Sequence, residues 1–299
     1  ITNPISERYA FGIPVSWEYR DDRTVVKRGK RMLFVAPWQG HSIVGTTYAP
    51  FDGKADEFKV TGKDVHELVE MVNQVCPSLR LDLDDVKFVH GGLLPCTHDS
   101  QAIEGVQLKT KYEIHDHRAD GIEGILSVTG VKYTTARHVA QKVIDYILFR
   151  DNQSSPPSQS AQTPLFGGAI ECFESFVETE TKKNVFGFSR AAFRSLLHNY
   201  GTMYPKVLQM LPNNNRPNEP DSCEDADLIK AQVRFAIREE MAQKLTDVVM
   251  RRTEIGSAGH PGEKILEVCA GEMSKELGWN HQKLQEELRE TQEQFVIAA

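Results

Sequence analysis

"ILSVTGVKYTTARHVAQKVIDYIL", running from Ile125 to Leu148, sets the terms for the fold. Its first residues, Ile125 to Val128, read as a short buried strand. Gly130 then lets the backbone turn without a side chain in the way. Downstream, Ala136, Val139, Ala140, Val143, Ile144, Ile147 and Leu148 recur at the spacing of an amphipathic helix. A strand, a glycine corner and a helix in that order place the helix's unpaired N–H groups beyond the strand's end. Lys132 adds a full charge there, and Thr134 and Thr135 add hydroxyls. Such a corner suits an anion, and it equally reads as a purely structural turn.

Upstream of the corner, residues 1 to about 130 read as strands with a helix between them. "RMLFVAPW" (31–38) and "HSIVGTTYAP" (41–50) are apolar, β-branched runs joined by Gln39-Gly40 as a tight hairpin. A further strand is expected before them, joined through Arg28-Gly29. Thr61 with Asp64 three residues on resembles a capping box, and Val65, Leu68, Val69, Val72 and Val75 follow at helical spacing up to Pro77. "VKFVHGGLLP" (86–95) reads as another strand, and "KTKYEIHDHRADGIEGILSV" as two strands around a polar turn.

Downstream, "RDNQSSPPSQSAQTP" (150–164) is rich in Ser, Pro and Gln and reads as a linker. Helical patterning follows. Ile229, Val233, Ala236, Ile237, Met241, Leu245 and Val248 predict one long helix, and Ile265, Val268 and Cys269 another. Asn280 is a third helix's N-cap, with Trp279 and Leu284 spaced as a hydrophobic staple.

The 299 residues have 40% hydrophobic and 26% charged content and a formal net charge of −7, which argues against a nucleic-acid surface. Lys27-Arg28-Gly29-Lys30-Arg31 reads as a solvated hairpin turn rather than a phosphate track. Cys76, Cys96, Cys172, Cys223 and Cys269 are scattered without a CxxC pair, as in a cytosolic protein with reduced thiols. No metal site is expected. His115-Asp116-His117 reads as part of a turn, and Cys96 with His98 lacks a second ligand pair. GxSxG, P-loop and GxGxxG motifs are absent. For the corner itself two anions suit: a phosphate, or the N1–C2=O2 edge of a flavin, which becomes anionic as the ring accepts hydride.

"MLFVAPWQGHSIVGTTYAPFDG", "VHGGLLP" and "ILSVTGVKYTTARHVAQKVID" resemble, in this order, motifs of the FAD-dependent glycerol-3-phosphate dehydrogenases. "LLHNYGTMYPKVLQML", "VRFAIREEMAQKLTDVVMRRTEIG" and "KELGWN" resemble the same family's helical part, so the likeness runs from about 30 to 295. The resemblance implies an α+β chain. A mixed-sheet substrate-binding domain (1–123) is followed by the returning strand and helix of a D-amino-acid-oxidase-like FAD-binding domain (124–150). A linker (151–168) and an all-α C-terminal domain (169–299) complete it. It implies FAD as cofactor, contacted by Gly130, Val131, Lys132, Thr134 and Thr135, with Lys132 the catalytic charge. It also implies oxidation of sn-glycerol 3-phosphate to dihydroxyacetone phosphate, with electrons passed to quinone or another acceptor.

Departures from the family pattern fall at the substrate. The arginine of its Gly-Leu-Arg-Pro segment is Leu94 here, and Lys109 or Lys111 stands near a second arginine position. Thr47 completes the expected substrate-binding set with Lys109 and Leu94. Val131 and Ala136 replace a glycine and a tyrosine. Without GxGxxG or a ribose-binding acid, the chain is expected to be the carboxy-terminal portion of a longer enzyme. Alone, it is expected to hold FAD poorly. A cytoplasmic location follows, with inner-membrane contact and homodimerisation left open. Two alternatives stand: a related flavin oxidoreductase acting on another hydroxy acid or polyol phosphate, and a non-catalytic helical interaction module.

Overall fold

A computed structural model describes residues 1, 5–21, 24–96, 108–109, 111–130, 132–183, 187–211 and 225–297. Its first layer is a three-stranded antiparallel sheet, β1 (Phe11–Asp21), β2 (Thr24–Trp38) and β3 (His41–Gly45), in that spatial order. Alternation decides which face is buried: Ile13, Val15, Leu33 and Val35 point inward, while Met32 and Phe34 point to solvent. Pro14 has no N–H to give, and β1 is an edge strand, where that costs no ladder bond. The β2–β3 turn is the expected one, with Gln39 at φ 47° and Gly40 at φ 78°.

Helix α1 (Gly62–Val75) begins as its sequence predicts. The Thr61 hydroxyl accepts from the Asp64 N–H, and the Asp64 carboxylate accepts from the Thr61 N–H at 2.8 Å. Its apolar face lies on the sheet, where Val72 meets Val15 and Leu33 and is flanked by Leu68, Met71 and Val75. Asn73 exchanges two hydrogen bonds with the backbone of Leu81 and fixes the chain leaving the helix.

Three strand expectations need correcting. Arg28 and Gly29 are not a turn but stand within β2, opposite Glu18 and Trp17, so the basic cluster belongs to a strand backbone. Residues 86–95 form no strand. They have no ladder partner, and Phe88 instead packs against Phe295 of the helical part with ring centroids 5.2 Å apart. β3 ends at Gly45, which leaves Thr46 and Thr47 exposed in the following loop rather than packed in a core.

The second sheet is the pair β4 (Glu113–Asp116) and β5 (Leu126–Thr129), antiparallel, with Glu113 opposite Thr129 and Asp116 opposite Leu126. β5 is not the buried strand expected: Ile125 is 51% and Val128 43% exposed. A 3-10 turn at Tyr133–Thr135 leads into α2 (Ala136–Arg150), whose apolar stripe is only half-buried or exposed. The linker lies along α2, held where Arg137 donates to Ser160 at 3.0 Å and Ser155 to Asp145 at 2.8 Å. Arg137 also donates to Gln141 at 3.2 Å, a second neutral hydrogen bond.

The remaining helices are α3 (Phe173–Lys182), α4 (Arg190–Tyr200), α5 (Tyr204–Leu208), α6 (Asp225–Arg238), α7 (Leu245–Asp247) running into a π-helical turn (Val248–Arg252), α8 (Glu263–Leu277) and α9 (His281–Glu293). α6 is the wall between two cores. Leu228, Ala231 and Phe235 face Phe193, Leu196 and Leu197; Val233 and Ala236 face Leu266, Cys269 and Met273. The single long helix predicted for 229–248 is broken at Arg238. Met241 takes a left-handed φ of 56°, and a new helix start is satisfied from outside. The Asp247 carboxylate accepts from the N–H groups of Gln243 and Lys244, each at 3.0 Å, and buried Glu287 of α9 accepts from Leu245 at 2.8 Å. Asn280 caps α9 as its sequence predicts, accepting from Lys283 at 2.8 Å, while Trp279 and Leu284 pack on one core.

Candidate functional site

At the corner, Lys132 is exposed at the end of β5, and no ion pair engages its ammonium among the described residues. Its carbonyl accepts from both the N–H and the hydroxyl of Thr135, at 3.2 and 3.1 Å. The Thr135 proton is therefore spent on the turn, while Thr134 stays exposed. Gly130 is present for neither of the expected reasons. Its φ is not positive, and an added Cβ would meet Tyr112 only at ordinary contact, 3.5 Å. Val131 lies outside the described residues.

Lys109 comes to the same end of the hairpin. Its ammonium is 2.6 Å from Glu113, the residue paired with Thr129 just before Gly130. Its charge is therefore already shared with a carboxylate. Leu94 is exposed and precedes Pro95, whose carbonyl accepts the Lys109 N–H at 3.1 Å. Lys109 thus links the Leu94–Pro95 segment to the hairpin that ends at the corner, whereas no hydrogen bond or ion pair joins Thr47 to them among the described residues. The two cations differ: Lys132 has no ion pair among the described residues, and Lys109 is paired with Glu113.

Asp116 anchors β4 to α2. Its carboxylate accepts from Arg118 Nε at 3.0 Å and from the Tyr146 hydroxyl at 3.0 Å. Those hydrogen bonds, the Arg118 guanidinium's above all, hold its pKa near 2. Beside it, the His115 and His117 rings both hydrogen-bond Asp120, and they hold its carboxyl below the usual range.

A joint between the sheet and the helical part carried no sequence signal. Trp38, the last residue of β2, donates its indole N–H to the Ser257 hydroxyl at 3.1 Å, 219 residues away. Gln39 donates to Glu254 at 2.9 Å, and Ser195 of α4 approaches the same oxygen. The Gln39-Gly40 hairpin tip is thus fastened to the turn that follows Arg251-Arg252. Nearby, Asp247 pairs with Arg251 at 3.3 Å. Glu240 instead keeps a buried carboxylate oxygen without a partner, and burial raises its pKa. A cavity of about 380 Å³ between α8 and α9, lined by Glu263, Glu267, Leu284 and Arg289, includes no residue of the corner.

Residues 158–284 match the family described as the C-terminal domain of alpha-glycerophosphate oxidase. Over 271 residues the chain is 28% identical to the glycerol-3-phosphate dehydrogenase of Synechocystis sp., covering 88% of this chain and 47% of that protein. The chain is thus similar over most of its length to proteins named glycerol-3-phosphate dehydrogenase. A Dictyostelium discoideum protein named as a probable mitochondrial glycerol-3-phosphate dehydrogenase is 26% identical, covering 88% of this chain and 41% of its own length. The solved glycerol-3-phosphate dehydrogenase of Bacillus halodurans, complexed with FAD, superposes with a TM-score of 0.73 at 22% identity, over 97% of this chain and 56% of that one. That likeness supports the α+β fold expected for a glycerol-3-phosphate dehydrogenase portion. The chain spans about half the length of the relatives it matches.

The corner fits the ring end of FAD: a cation beside a helix start suits an anionic carbonyl edge. The same 299 residues contain no GxGxxG to take a pyrophosphate.

Proposed function

We propose that this chain supplies the substrate-facing sheet, the flavin-edge corner and the helical domain of an FAD-dependent glycerol-3-phosphate dehydrogenase. The reaction is oxidation of sn-glycerol 3-phosphate to dihydroxyacetone phosphate. The observation that carries this reading is Lys132 at a strand-to-helix corner, without an ion pair among the described residues, in a chain that aligns over 88% of its length with a protein named glycerol-3-phosphate dehydrogenase. When bound, FAD supplies the two-electron acceptor for the hydride leaving the substrate's secondary carbon. Lys132 holds positive charge where negative charge develops, and the N-terminal end of α2 adds to it. Lys109, screened by Glu113, offers the phosphate a weaker point charge than an arginine fork. That weakness, with Leu94 exposed nearby, favours a second reading within the same chemistry, a related polyol phosphate as substrate. Quinone or another acceptor takes the electrons onward. Among the described residues no helix is long and apolar enough to cross a membrane.

The test uses the full gene product with FAD bound. Anaerobic sn-glycerol 3-phosphate is expected to bleach the oxidised flavin, and Lys132→Ala to slow that step about a hundredfold. Unchanged stopped-flow reduction removes Lys132 from the mechanism. Absence of bleaching, with bleaching by another polyol phosphate, moves the substrate.

A further inference from the structure

The side chains of His115, His117 and Asp120 meet at one point on the β4–β5 hairpin, outside the corner and outside any role given above. One potential ligand atom from each lies within 4.8 Å of the other two. Asp120 Oδ2 is 2.6 Å from His115 Nε2 and 2.9 Å from His117 Nδ1. The imidazole rings stand 4.5 Å apart at 83°, so they approach a shared point from perpendicular planes instead of stacking. The neighbouring charges do not compete: Asp116 is occupied by Arg118 and Tyr146, and Arg118 is directed to Asp116.

We infer that His115 Nε2, His117 Nδ1 and Asp120 Oδ2 form a site for a single divalent transition-metal ion of the zinc class. Two imidazoles and one carboxylate suit zinc, cobalt, nickel or copper rather than magnesium or calcium, which prefer all-oxygen shells. The fourth position is open, because His115 and Asp120 are exposed and water reaches them. The second shell is also present. His117 Nε2 lies 2.8 Å from the Ser127 hydroxyl of β5. Without metal, Nδ1–H donates to Asp120 and Nε2 accepts from Ser127. With metal, Nδ1 gives its lone pair to the ion and Nε2–H donates to Ser127, so the neutral ring changes tautomer without net proton loss. The ion ties the 3-10 turn at His117–Asp120 to His115 of β4, and the His117–Ser127 hydrogen bond carries that brace to β5, three residues ahead of Gly130.

The 299-residue chain, freed of metal with chelator, is titrated with zinc by calorimetry and with cobalt by visible absorption. One equivalent with cobalt bands of a nitrogen- and oxygen-ligated ion is expected. Asp120→Asn and His117→Ala are each expected to weaken zinc binding at least tenfold, and Ser127→Ala about tenfold. The exposed thiols are the competing explanation, so Cys96→Ser/Cys172→Ser must bind as the parent does, and His66→Ala likewise. Loss of binding in the cysteine variant, sulfur-to-cobalt charge-transfer bands, or undiminished binding in Asp120→Asn overturns the site. Should His117→Ala fail to fold, His115→Ala on the more exposed ring decides in the same assay.

Discussion

Glu287 offers the sharpest test of how the helical part is held together. Its side chain is fully buried in α9, and its carboxylate accepts the backbone N–H of Leu245 at 2.8 Å, where α7 begins. Lys283 Nζ lies 2.9 Å from the other oxygen, but that oxygen has no well-aligned hydrogen bond, so the contact counts as an ion pair only. Truncation to alanine leaves a buried N–H unpaired, at about 1–3 kcal/mol, and opens a small cavity for about 1 kcal/mol more. Lys283 is 40% exposed and bonds Glu286 as well, so its loss of a partner adds little. Glu287→Ala is therefore expected to cost about 3 kcal/mol and to lower Tm by roughly 10 °C. Glu287→Gln keeps an acceptor for Leu245 and fills the space, so it is expected to cost about 1 kcal/mol. Urea titration followed by tryptophan fluorescence reads this directly, since Trp279 packs on the same core. A Glu287→Ala loss below about 1 kcal/mol, or equal losses for the two variants, would falsify the capping account.

Two further expectations concern the same part of the chain. Burial raises the Glu240 pKa above its unfolded value, with Arg252 opposing weakly, so the folded state binds the extra proton. The stability this lends is present in acid and is lost as pH rises through the folded pKa. Glu240→Gln should therefore stabilise the protein at pH 7 and lose that advantage toward pH 4, and a pH-independent difference in urea midpoints contradicts the assignment. Gly201 sits at φ 49°, and an added Cβ would collide with the Gly167 carbonyl, which also accepts the Thr202 N–H at 3.0 Å. Gly201→Ala is expected to cost roughly 2–4 kcal/mol, and a thermal melt unchanged from the parent shows that the linker end can move away.

The amino-acid order alone determined what is settled within a few residues. Thr61 with Asp64, Asn280 with Lys283, and Gln39-Gly40 each bond or bend locally, so their helix starts and turn follow from side-chain chemistry. The order of motifs also carried the family likeness and the place of Lys132. Tertiary structure decided everything whose partner is distant. The 229–248 stripe is equally periodic on either side of Arg238, yet the chain breaks there because Glu287, 42 residues beyond Leu245, satisfies the new helix start. Trp38 finds Ser257, and Gln39 finds Glu254, because packing selects partners by position in space rather than along the chain. A capping bond needs a separation of three residues; a joint between a hairpin and a helical turn needs both cores already formed.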